Sequence, residues 1–275
     1  MGFFPLSDST YLIESFPSFY IIDDHGSVLN TTNIPNKLDK IFGNKYNDNL
    51  YISSEMSHSV RINRHEYVLQ VYRPNLNINE NYPQYPLFVK LKIDESLNIE
   101  ISPIDIYFPE EFKLPGGLTF GQHERAVYSI QNNHIIYGFG FSSKVFIYNI
   151  NNKTMISIDL EIKNGINFSA PEATNIILSG NRLLTNFNIP LIDFNTNTIY
   201  RFHIDIDEEN PMDNQGYLTV FDLDGRKLIE SSLGKNSERM LRNPFLLNGK
   251  VFVNPYYPKT MEEHLEFYNF KLTKK

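Results

Sequence analysis

Apolar and polar positions alternate with a period of two over long parts of the chain, and an acid or amide repeatedly breaks the alternation. Residues 19–34 read FYIIDDHGSVLNTTNI, residues 144–160 KVFIYNINNKTMISIDL, and residues 216–233 GYLTVFDLDGRKLIESSL. Aligned on the residue that stops the first run, they become Asp23-x-x-Gly26-x-x-Leu29, Asn149-x-x-Asn152-x-x-Met155 and Asp222-x-x-Gly225-x-x-Leu228. A strand of β-branched and aromatic residues arrives, and Asp or Asn turns the chain by bonding its own backbone. Gly or Asn then takes positive φ, and a second strand leaves. The alignment predicts positive φ at Gly26, Asn152 and Gly225. A fourth copy, Asp193-x-x-Thr196-x-x-Ile199, lacks the glycine. A weaker one surrounds Asp94, and LEFYNFKL near the end matches the incoming half alone, with Asn269 in the acid's place.

With Asp193 set aside, the markers fall at 23, 94, 149, 222 and 269, each step long enough for four strands and a variable loop. Residues 61–74, 124–132 and 134–141 supply strands between them. Strands at this spacing without a helical period predict an all-β fold, a β-propeller of five or six antiparallel blades with the ring closed or incompletely closed. A sandwich of two antiparallel sheets is the alternative. IPNKLDKIF at 34–42 has apolar positions for one or two helical turns, and Thr260-x-x-Glu263 has capping-box spacing ahead of strand-like residues. No hinge-like linker divides the chain, so residues 1–275 read as a single domain.

The net charge of −7 removes the basic footprint expected of a nucleic-acid binder. With no cysteine, disulfides, thiol catalysis and Cys-based zinc sites are absent. No run reaches the roughly 18 apolar residues of a membrane-spanning helix, and the first residues lack the basic and apolar regions of a signal peptide.

No P-loop, G-x-S-x-G, H-E-x-x-H or G-x-G-x-x-G occurs. On a strand through IYRFHIDID (199–207), Arg201, His203, Asp205 and Asp207 share one face, read here as a solvated face of a half-exposed strand, with ligation of a metal or orientation of a polar ligand as the functional alternative. Asp205, Asp207, Glu208, Glu209 and Asp213 crowd one loop. Asn210 and Gly216 stand where an EF-hand needs glycine and glutamate, so no Ca²⁺ site and no cofactor are expected. His123 and Arg125 follow a glycine-rich approach into a strand and suit an anionic ligand at a propeller channel. His25, His58 and His65 carry weaker signals, as do Tyr82, Tyr85, Tyr256 and Tyr257 beside prolines. The expected ligand-binding set is His123, Arg125, Arg201, His203 and Arg242, with no metal ligand.

FYIIDDHGSVL, DFNTNTIYRFHI and LEFYNFKL resemble stretches of a propeller-like family of unknown function from gut-type Gram-negative bacteria, whose members often carry a lipoprotein leader. Asp193 through Arg201 is the most specific piece, resembling that family's tyrosine-arginine strand after a turn. The chain looks like a short or N-terminally truncated member. The resemblance implies a six-bladed fold and no particular reaction. The expected function is a non-catalytic binding or scaffold protein of the cell envelope, monomeric, with a protein, peptide or glycan ligand. A hydrolase or lyase with its site at the central channel is the alternative. The location is periplasmic or lipid-anchored if a leader has been removed, and cytoplasmic otherwise.

Overall fold

A computed structural model describes residues 2–15, 17–42, 50–54, 60–72, 85–113, 125–162, 185–205, 214–235, 244–253 and 268–270. The alternating segments form five sheets in chain order, and every strand pair is antiparallel. Sheet 1 is a meander of β1 (Gly2–Pro5), β2 (Thr10–Ser15), β3 (Ser18–Asp23) and β4 (Val28–Asn33). In sheet 2, β5 (Tyr51–Ser53) and β6 (Arg61–Asn63) share one edge of β7 (Glu66–Tyr72), followed by β8 (Phe88–Ile93) and β9 (Ile99–Ile104). Sheet 3 holds β10 (Ala126–Gln131), β11 (His134–Phe139), β12 (Val145–Asn149) and β13 (Thr154–Ile158). Sheet 4 repeats the split first strand: β14 (Thr185–Phe187) and β15 (Leu191–Asp193) both pair with β16 (Thr198–Asp205), and β17 (Gln215–Asp222) and β18 (Lys227–Lys235) follow. Sheet 5 contains β19 (Phe245–Leu247), β20 (Lys250–Val253) and β21 (Tyr268–Phe270).

The chain divides into two compact units, Met1–Met56 with Val60–Gln122, and Ser57–Ser59 with His123–Lys275. The first holds sheets 1 and 2. Glu14 of β2 accepts the Ser54 hydroxyl (2.6 Å) just past β5, and Asn30 of β4 donates to the Leu97 carbonyl between β8 and β9 (2.7 Å). The second holds sheets 3, 4 and 5. Ile136, Val145, Ile147 and Ile158 of sheet 3 pack with Ile192, Ile199 and Phe221 of sheet 4, and Phe202 of β16 meets Phe270 of β21 at 6.3 Å. Within each unit, then, sheets adjacent in sequence are adjacent in space. Blades stack this way, whereas a two-sheet sandwich interleaves distant strands. Each buried Ile or Phe in these seams contributes about 1.5–3 kcal/mol.

The repeated phrase marks one position in the sheets. Asp23, Asp94, Asn149 and Asp222 close the hairpins β3–β4, β8–β9, β12–β13 and β17–β18, always from third strand to fourth. Asp193 falls out of step because it joins a first strand to a second. The turns come in two forms. At Asp23 and Asp222 the carboxylate accepts two backbone N–H groups, and Gly26 (φ 82°) and Gly225 (φ 83°) complete a three-residue loop with a bulge beside it. Asp94 builds the same loop with Leu97 at φ 62°. Asn149 does not, and the expectation of positive φ at Asn152 is corrected. Its hairpin has one more residue, the Asn149 Oδ1 accepts from the N–H groups of Asn151 and Asn152, and the left-handed position moves to Lys153 (φ 56°). Asp193 follows this longer form, with Asn197 at φ 53°. The phrase's last residue lies on an outer strand: Leu29, Met155 and Leu228 are 47%, 52% and 53% exposed, so it belongs to the sheet edge and not to the core.

One helix, α1 (Ile34–Phe42), follows β4, as the apolar spacing predicts. Asn33 caps it by accepting the Asn36 N–H (3.0 Å), Pro35 fits its first turn, and Ile34 and Leu38 are buried.

Candidate functional site

The second strand of sheet 4 is buried on both faces. Phe202 faces sheet 5, while Ile199, Arg201 and His203 face the seam with sheet 3. The reading of the Arg201 face as solvated is therefore corrected: Arg201 is 0% and His203 2% exposed. A central strand between two packed sheets has no free face, whatever the polarity of its residues.

Pairing sets the residues around this couple. Thr219 lies opposite Arg201, and Tyr217 and Phe187 lie opposite His203 on its two sides. The Arg201 guanidinium sits 5.4 Å above the Phe187 ring, and the His203 ring stacks on Tyr217 at 5.1 Å and 16°. Farther along, Thr185 donates to the Asp205 carboxylate (2.9 Å), and Thr219 donates to Glu230 (3.0 Å). Arg201 Nη2 crosses to sheet 3 and donates to the carbonyls of Phe139 (3.3 Å) and Ser142 (3.2 Å). Gly138 makes that reach feasible, since a Cβ there would stand 2.8 Å from Nη2.

Donors remain over. Among the described residues, the buried Nε and Nη1 of Arg201 and Nδ1 of His203 have no hydrogen-bond partner. Burial alone pushes the Arg201 pKa down to about 9, which leaves the side chain cationic at neutral pH. Burial also lowers the His203 pKa against the opposing pull of Asp205 and Glu230, which favours the neutral ring. The face thus presents a desolvated cation, a neutral imidazole and two aromatic rings. Such a set can hold an anionic or planar polar group.

Of the other expected residues, Arg125 is half-buried and immediately precedes Ala126, the register partner of Phe139. That places it at the end of sheet 3 where Arg201 docks. His123 and Arg242 lie outside the described residues, as do Asp207, Glu208, Glu209, Asp213, His58, Tyr82, Tyr256, Tyr257, Thr260 and Glu263. His25 and His65 are exposed at turns, and Tyr85 is buried. Among the described residues, no three His, Asp or Glu side chains group to hold a metal. Gly138 and Gln70 belong to no motif in the sequence. The Gln70 amide is buried in β7 with neither end bonded among the described residues, and the polar letter inside EYVLQVY was the available signal.

No family model and no curated protein matches the chain. Its structure is similar to the crystal structure of a member of the DUF4221 family from Bacteroides vulgatus ATCC 8482, with a TM-score of 0.58 and 13% identity over 99% of this chain and 78% of that one. Apo AztD from Citrobacter koseri follows with a TM-score of 0.37 and 9% identity, over 96% of this chain and 58% of AztD. The first match and the five sheets define the class: an all-β fold of the propeller type. The resemblance of the sequence stretches and the superposition agree on that fold.

Proposed function

We propose that this chain is a non-catalytic binding or scaffold protein of the bacterial cell envelope, and that the end of the seam between sheets 3 and 4, where the half-buried Arg125 stands beside the buried Arg201–His203 couple, receives an anionic group of a peptide, protein or glycan. The observation that carries this reading is the buried guanidinium, whose charge meets two carbonyl oxygens and no carboxylate among the described residues. Buried donors without acceptors are rare in native proteins, and a buried cation without a counter-ion more so. A ligand carboxylate supplies both, by a charge-assisted hydrogen bond. Arg125 adds a second cation at the same end of sheet 3, and His123 and Arg242 join the set by residue type. The envelope assignment follows the leader-bearing family that the sequence resembles.

The test is calorimetric titration with peptides bearing a free C-terminal carboxylate, the same peptides amidated, and galacturonate oligosaccharides. The free carboxylate or the uronate binds, amidation abolishes peptide binding, and Arg201→Met weakens binding about tenfold or more. His123→Ala, Arg125→Ala and Arg242→Ala report which cations share the ligand. Wild-type affinity in Arg201→Met overturns the reading. Turnover of either probe would instead favour the hydrolase or lyase. Fractionation of cells producing the native protein places it in the envelope or contradicts that part.

A further inference from the structure

A second basic site lies in the other unit, between α1 and sheet 2, and the geometry points to a small polyvalent oxyanion of the phosphate type as its ligand. A groove of about 410 Å³ is lined by Lys37, Lys40 and Ile41 of α1, Lys90 and Lys92 of β8, and Glu100, Ile101 and Ser102 of β9. That volume lies within the usual range of small-molecule pockets, about 300–1,000 Å³. Four lysines against one glutamate give the lining a local excess of positive charge in a chain whose net charge is −7.

The fold explains why the lysines converge. Lys90 and Lys92 alternate with the buried Val89, Leu91 and Ile93, so both stand on one face of β8. Their partners across the strand are Ser102 and Glu100, which share that face. Burial of Ile34 and Leu38 seats α1, and Lys37 and Lys40 then overhang the same face.

Ordinary structural roles account for only part of the cluster. Lys90 pairs with Glu66 at 3.3 Å, and Lys40 complements the carboxyl end of the α1 dipole. Lys37, Lys40 and Lys92 form no ion pair among the described residues, and Lys92 acts on the Asp94 carboxylate only from beyond ion-pair distance. Like charges that line one cleft repel one another and focus the field on it, so an anion is attracted there despite the overall negative charge. The lining contains no arginine and hence no planar fork. Lysine ammonium groups act as point charges, which select for charge number over carboxylate geometry. Glu100 on the rim adds to the discrimination, because only an anion carrying more than one charge outweighs it.

The test uses the full chain and two probes, inorganic pyrophosphate by calorimetry and phosphatidylcholine vesicles with and without phosphatidylglycerol by sedimentation. Pyrophosphate binds, acetate binds at least about tenfold more weakly, and affinity falls as salt rises. Lys37→Gln with Lys92→Gln reduces pyrophosphate affinity about tenfold or more, whereas Lys113→Gln, outside the groove, leaves it unchanged. Binding of anionic vesicles but not free pyrophosphate, lost in the same double variant, assigns the phosphate to a lipid headgroup. These lysines line an open groove, so folding of the variants is checked directly by circular dichroism. No binding of either probe, or a double variant that binds as the wild type does, overturns the proposal.

Discussion

Arg201 keeps a full charge in a place without water. The effective penalty for burying an ion is several kcal/mol, normally offset by a partner charge. Here two carbonyl bonds and the face of Phe187 do part of that work. Two roles for the guanidinium give opposite forecasts. If it serves a ligand, Arg201→Met relieves desolvation while depriving two carbonyls of donors at about 1–3 kcal/mol each. Stability by urea denaturation then changes by no more than about 2 kcal/mol, although ligand affinity collapses. A loss of about 3–5 kcal/mol with affinity retained would mark a purely structural clamp. The pH dependence has a defined sign. The anion binds the protonated guanidinium, so affinity holds at neutral pH and falls as pH rises through about 9. His203 acts on the acid side. Its folded pKa lies below the unfolded value, so the unfolded chain takes up the proton first. Stability is then full above the unfolded pKa of about 6.5 and declines as pH falls toward the folded value. His203→Gln should flatten that decline, and an unchanged urea midpoint profile between pH 7 and 5 in the variant would contradict it.

The hairpin is the element at which sequence and structure correspond best. A carboxylate or amide that caps its own loop is legible because Asp, Asn and Gly have few other reasons to recur at that spacing. The loop length is not legible at Asn149 or Asp193, since Asn and Lys enter the left-handed region where no glycine announces it. The two glycines with nearly equal φ separate backbone strain from packing. At Gly26 a Cβ meets nothing within 4 Å, whereas at Gly225 it overlaps the Asp159 carbonyl oxygen at the end of sheet 3. Gly26→Ala should cost about 1–2 kcal/mol from φ alone. Gly225→Ala should cost distinctly more, because the Glu161 N–H also bonds the Gly225 carbonyl (2.9 Å) and ties the turn to sheet 3. Equal costs in urea denaturation would refute that packing argument. Leu97 offers the converse: Leu97→Gly relieves a left-handed leucine and should gain up to about 1 kcal/mol.

Over the whole molecule, four of the five sheets carry the phrase at the same third-to-fourth hairpin, Asp193 adds a second copy in sheet 4, and the marker Asn269 sits within β21 opposite Phe252, with the variable steps absorbed by the connections between markers. The burial of Arg201 and His203 was not legible in the same way. Alternation assigns residues to faces, but a single strand does not say whether the next sheet covers the polar one. Only the seam of sheets 3 and 4 decides that. The net charge of −7 repels an anionic ligand at long range, while the buried Arg201 attracts it at short range. Salt screens the first more than the second, so affinity at this site should hold or rise up to about 0.15 M salt, where the Debye length is near 8 Å. The lysine groove should weaken over the same range. Hydrogen exchange of the full chain, read by mass spectrometry with and without saturating galacturonate oligosaccharide, tests the central claim most directly. The account predicts added protection in segments 138–144, 185–205 and 215–222, with sheets 1 and 2 unchanged. Failure of the oligosaccharide to protect these segments, or protection confined to other sheets, would contradict it.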